Sequence, residues 1–126
     1  MAVTAALLLL GACAQQQPAV CAPPLKPALE VDLYFGRGNV SDVQWKAFVD
    51  DEVTPRFPEG LSVADIAGQW RDPAAKIGRE QSKLLILIVF DPPAHGPKVE
   101  AVVSAYKQRF AQQSVLRVER AVCVNY

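Results

Sequence analysis

Three cysteines, one histidine and a few charged and aromatic side chains carry most of the reactive chemistry open to this 126-residue chain. Cys13 closes the run Leu10-Gly11-Ala12-Cys13, in which two small residues precede a thiol at the end of an apolar stretch. Small side chains let a signal peptidase approach the backbone, and the thiol can accept a diacylglycerol. The pattern therefore predicts lipidation at Cys13 and removal of everything before it. Cys21 and Cys123 then remain as an even pair in an exported chain, where oxidising conditions favour a disulfide between them. Such a bridge closes a loop of about 100 residues, for which chain entropy gives roughly 4 to 5 kcal/mol; the alternative is two unrelated thiols. Zinc is not expected, because two cysteines with one histidine fall short of four ligands.

Catalytic sets are sparse. His95 sits in the stretch Asp91 to Lys98, DPPAHGPK, where proline and glycine point to an exposed loop rather than a held general base. Neither Ser82 nor Ser114 is expected to complete a triad with it. Gly36-Arg37-Gly38 lacks the rest of a phosphate-binding fingerprint. Asp50-Asp51-Glu52 reads as a solvated helix end, and Glu30 with Asp32 could hold a cation only on a covered face. No catalytic residue, metal or cofactor is assigned. The candidate ligand patch is Arg56, Trp70, Arg79 and Glu80. An aromatic ring flanked by guanidinium and carboxylate groups can hold an anionic or sugar-like ligand. The plainer alternative is a ladder of surface ion pairs, which is worth little energetically.

The segments that position these residues differ sharply in composition. Residues 1–12 read as a lipoprotein signal peptide, since an apolar stretch of roughly ten residues is far short of the ~20 a spanning helix needs. No Lys or Arg precedes it and it is short, two departures that a start site assigned too far downstream would explain. The alternative is a frayed apolar N-terminus or a first core strand. Residues 13–28 form the acylated N-terminus and a Pro- and Gln-rich linker with a single charge at Lys26, an extended tether rather than a folded element. Residues 29–126, roughly 98 in number, suffice for one core and one domain. Lys plus Arg and Asp plus Glu both total 13, so no basic excess recommends nucleic acid or anionic lipid as a partner.

Within the domain, Leu29, Val31, Leu33 and Phe35 alternate with Glu30, Asp32 and Tyr34, the period of a half-buried strand. Ser41 with Gln44 makes a capping box, and Trp45, Phe48, Val49 and Val53 follow at helical spacing. Pro55 and Pro58 end that helix. Leu61 to Trp70 predicts a strand with Gly68 as a bulge or close-approach point, and Lys83 to Phe90 a central strand apolar on both faces. After a predicted loop from Asp91 to Pro97, Val99, Val102, Val103, Tyr106 and Phe110 mark a second helix. Val115 to Val124 completes the order β-α-β-β-α-β. This predicts an α+β, ferredoxin-like domain, with both helices on one face of an antiparallel-plus-parallel sheet. Its last strand lies beside the first, which brings Cys123 near the tail bearing Cys21.

Val53 to Val63, Gly68 to Arg71, Arg79 to Lys83 and Ala105 to Val118 together resemble the bacterial family called domain of unknown function 3574, small proteins often carrying lipoprotein signals. The likeness runs from about Leu33 to Val118. It implies no established activity and no catalytic residue.

The sheet face away from the helices is expected to carry part of Leu84 to Val89, and an apolar strip of that kind calls for a partner or a lid. Two functional expectations follow. One is a non-enzymatic binding or assembly module, attached to the membrane by its N-terminal lipid on the periplasmic side of the cell envelope, with the outer membrane as the default address and a homodimer formed through the open sheet face. The other is a dimeric α+β-barrel enzyme whose two sheets enclose Tyr34, Glu30, Asp32 and an arginine.

Overall fold

The computed structural model describes residues 20–126. The expected signal segment, Cys13 and the first part of the expected tether lie outside the described residues. The alternation from Leu29 belongs to β1 (Lys26–Gly36), where Val31, Leu33 and Phe35 are completely buried. Gly38 then takes a positive φ of 50° and turns the chain toward Ser41. Ser41 caps α1 (Asp42–Phe48): its hydroxyl accepts from the Gln44 amide at 3.2 Å, and the Gln44 side-chain oxygen accepts from the Ser41 amide at 2.9 Å. A single π-helical turn (Val49–Val53) extends α1 and brings Val53 into the core. There follow β2 (Ser62–Arg71), β3 (Ile77–Val89), α2 (Pro92–Phe110) and β4 (Leu116–Val124).

The four strands lie in the order β2-β3-β1-β4, and every neighbouring pair is antiparallel. The α+β, ferredoxin-like βαββαβ arrangement is as the sequence predicts, but the expected mixed sheet is corrected. Each crossover skips one strand, so β1 with β2, and β3 with β4, run parallel only across the strand between them. Val31, Leu33, Phe35, Leu85, Leu87 and Val89 meet Trp45, Phe48, Val53, Val99, Val102 and Tyr106 in one core. At its centre Phe35 stands edge-on to Tyr106 at 4.6 Å and to Trp45 at 5.2 Å, contacts worth ~0.5–1.5 kcal/mol each beyond their buried area.

Three local expectations are also corrected. Asp91 to Pro97 is not a loop, because α2 begins at Pro92. Prolines at the first two helical positions forfeit no bond, since those amides have no intrahelical partner. His95 therefore lies on a helix, with its side chain only 11% exposed and its Nε2 2.9 Å from Glu119. β3 starts at Ile77 rather than Lys83, because its polar first half pairs with β2 beyond the end of β1. Gly68 makes no bulge: it pairs with Glu80 in unbroken register, and an added Cβ would meet nothing nearer than 3.8 Å.

A disulfide joins Cys21 to Cys123, with 5.6 Å between their Cα atoms. Cys123 stands opposite Pro27 on β1, so the bridge fastens the tail to the last strand at the sheet end where β1 begins.

Candidate functional site

Side chains alternate across each strand, so the even-numbered residues of all four strands face away from the helices. Leu84, Ile86 and Ile88 occupy the middle of this open face, flanked by Ile66 on β2 and by Val118 and Val122 on β4, all half-buried. Among them lies an ionic cluster. Arg120 Nη2 is 2.7 Å from Glu30 Oε1 and also bonds Asp32 Oδ2. Asp32 is only 3% exposed, and its Oδ1 is buried without a hydrogen-bond partner among the described residues. Burial raises the Asp32 carboxyl above the ordinary range; Arg120 opposes this and Glu30 adds to it. Within one copy of the chain, the arginine beside Glu30 and Asp32 is Arg120. It could have been found by carrying the two-residue alternation through β4 and aligning that strand antiparallel to β1.

A second ionic cluster lies on the helix side. Lys83, 6% exposed, places Nζ 2.9 Å from Asp42 Oδ1 and 2.5 Å from Asp65 Oδ1, and Arg37 meets the same Asp42 oxygen at 3.0 Å. Hydrogen bonds to Asp65 and then Asp42 hold the Lys83 amine above its usual value, against the opposing effect of burial. A lysine held charged in this way is no general base. It ties β3 to the first turn of α1 and to β2.

The hairpin of β2 and β3 continues past Gly36, the last residue of β1, from the Ala67–Gln81 pair to the Arg71–Ile77 pair. Between this overhang and the loop after α2 opens a cleft of about 520 Å³, lined among others by Tyr34, Trp70, Glu80, Ser82, Gln112 and Ser114. Two glycines make room for its side chains. A Cβ on Gly36 would lie 2.7 Å from Glu80 Oε1, and one on Gly78 would lie 2.6 Å from the Trp70 ring.

The structure brings Trp70 and Glu80 into this cleft but leaves the rest of the expected patch outside it. Arg79 pairs with Gln69 on the opposite face of the hairpin. Arg56 follows the π turn and bonds the Glu52 carboxylate at 2.9 Å and the Glu52 carbonyl at 2.6 Å. Ser82 and Ser114 line the cleft, whereas His95 lies elsewhere, against Glu119 on β4. Among the described residues no three His, Cys, Asp or Glu side chains are grouped to hold a metal ion, and no helix is long and apolar enough to cross a membrane.

The family model described as "Protein of unknown function (DUF3574)" matches residues 30–126. The chain belongs to this family. No curated protein matches the sequence. Among solved structures, a phage SAM lyase in its apo state is similar, with a TM-score of 0.57 at 14% identity over 86% of this chain and 97% of that one. The phage SAM lyase in complex with S-methyl-5'-thioadenosine gives 0.55 at 16% identity, over 79% and 90%. CutA from Synechococcus elongatus gives 0.50 at 12% identity, over 78% and 86%. At such identities the likeness establishes the fold, and the chemistry must be argued from this chain's own residues.

Proposed function

We propose that this member of the family is a lipid-anchored protein of the cell envelope, held on the periplasmic side by an acylated Cys13. It acts as a non-enzymatic assembly module that meets a second copy of itself through the open sheet face. The observation that carries this reading is the half-exposed strip of Leu84, Ile86 and Ile88 on the face without helices. Contiguous apolar surface of this kind marks a contact site on a soluble domain. A second copy suits it for two reasons. The chain is formally neutral, so two copies meet without net repulsion. The charges on the face are already grouped at Glu30, Asp32 and Arg120, leaving the strip free to pack against its own image. Anchoring would confine the copies to one membrane and raise their effective concentration.

Sedimentation of the full chain in mild detergent tests the assembly: a dimer is expected, with Leu84→Arg monomeric. A wild-type chain that stays monomeric at every concentration overturns it. Mass spectrometry of protein taken from its native host tests the address, where an uncleaved chain with a bare Cys13 among cytosolic proteins would sink the anchor. One observation favours a second reading, the dimeric α+β-barrel enzyme: the unbonded Oδ1 of Asp32 beside Glu30 and Arg120. An enclosed polar pocket around Asp32 in the dimer would support the enzyme, and a flat apolar contact the module.

A further inference from the structure

The cleft beneath the hairpin overhang has a charge that no described residue answers. Among the described side chains that line it, Glu80 alone is ionic, and no Lys or Arg reaches in. Most carboxylates of the described residues sit against a basic side chain. Glu80 has no hydrogen bond and no ion pair among those residues, although it is half-buried. The other carboxylates in that position, Glu59 and Asp91, are exposed and solvated by water. A half-buried carboxylate without a partner keeps its acceptor oxygens open to a ligand, and its field reaches the Tyr106 phenol, where it disfavours ionisation.

Its surroundings are equally specific. The Glu80 carboxylate rests against Gly36, and the Trp70 ring rests against Gly78, in both cases where a Cβ would collide. Two glycines therefore leave the room that the two side chains occupy where they line the cleft, and Tyr34 supplies a second aromatic ring. Ser82, Ser114 and Gln112 add neutral donors and acceptors. A carboxylate beside aromatic faces attracts a cation by a charge-assisted hydrogen bond and by the ring quadrupoles together. An anionic ligand, the other partner an aromatic patch can serve, finds no guanidinium here because Arg56 and Arg79 both lie outside. The volume, about 520 Å³, falls in the range of small-molecule sites.

We propose that this cleft is a binding site for a small organic cation, an amine, guanidine or quaternary ammonium compound. Glu80 provides the counter-charge and Trp70 and Tyr34 the aromatic walls. The site is formed within one copy of the chain, but it lies at one end of the same open face and borders the Leu84 strip, so binding is measured on the monomeric Leu84→Arg chain as well as on the wild type to keep its outcome distinct from that of the assembly.

Isothermal titration calorimetry of the full chain with spermidine, agmatine and choline tests it, with acetate and AMP as anionic controls. At least one cation should bind saturably with one-to-one stoichiometry, and the anions should not. Glu80→Gln should weaken that binding by roughly tenfold to a hundredfold, the range for loss of a charged hydrogen bond. Trp70→Leu replaces a side chain that is 52% exposed, so it spares the core and gives an independent loss of affinity even if Glu80→Gln folds poorly. Absence of saturable binding to all three cations overturns the proposal, as does affinity unchanged in both variants or a preference for AMP. Binding of a lysine-rich peptide in place of the three small cations would likewise overturn it, by assigning the cleft to a protein side chain.

Discussion

Tyr106→Phe removes one oxygen from the centre of the molecule and separates two contributions to stability. In the wild-type chain the Tyr106 hydroxyl donates to the Gly36 carbonyl at 2.9 Å from a fully buried ring. The ring itself is held edge-on by Phe35, Phe110 and Phe48 at 4.6, 4.9 and 5.1 Å, contacts that phenylalanine keeps. At neutral pH the variant should therefore lose only the hydrogen bond, about 1 to 2 kcal/mol, or roughly 5 to 10 °C in Tm for a domain of this size. In alkali the order changes. Burial, reinforced by Glu80 and opposed by Arg37, pushes the Tyr106 hydroxyl from 10.0 up to about 12. A raised value in the folded state means the contribution is complete below pH 10 and is lost as the pH climbs toward 12. The wild-type chain sheds about 2 to 3 kcal/mol across that window, whereas the variant has nothing there to ionise. Urea denaturation of the unreduced chain from about pH 8 to pH 11.5 should show two stability curves that converge and then approach crossing. Equal stability at neutral pH would refute the hydrogen bond, and curves that stay parallel into alkali would refute the burial of the hydroxyl.

Asp32→Asn should raise Tm at neutral pH, because it removes a carboxylate buried with one oxygen unbonded. The folded-state value of Asp32 is raised, so its contribution is greatest in acid and is lost as the pH rises through the carboxylate range; the wild-type chain should gain on the variant when acidified, as thermal melts from about pH 3 to 7 would show. Ala111→Gly should stabilise by about 0.5 to 1 kcal/mol in urea titrations, since Ala111 ends α2 with a left-handed φ of 50° that glycine adopts without penalty. Cys123→Ser, or reduction of the bridge, should cost about 2 to 5 kcal/mol; unchanged denaturation midpoints with and without reductant would show that the staple contributes nothing.

Local signals in the sequence carried the framework. The alternation through Phe35, the Ser41 and Gln44 spacing and the stripe from Val99 to Phe110 each report a periodicity that one face of the core imposes. What stayed hidden depended on context. Prolines at 92 and 93 read as breakers because nothing local distinguishes a helix's first turn, where missing amides do no harm, from its interior. The first half of β3 is polar because no helix covers the overhang, so no apolar period announces it. Missing that extension also concealed how the candidate patch divides, since Arg79 and Glu80 are neighbours in a strand and must face opposite sides. Arg120 could be joined to Glu30 and Asp32 only through the register of two strands about ninety residues apart, a long-range pairing that composition does not record.

The bridge between Cys21 and Cys123 also decides how the molecule bears a pull on its N-terminal tail. Tension entering at Cys21 divides there, one share following the chain into β1 and the other crossing the sulfurs to the far end of β4. Both strands are then loaded from the same end, in the same direction. The rungs between them, from the Lys26–Val124 pair to the Tyr34–Leu116 pair, carry little relative slip. An edge strand that would otherwise be free to peel is thereby made to travel with its neighbour, and the load passes inward to the middle of the sheet.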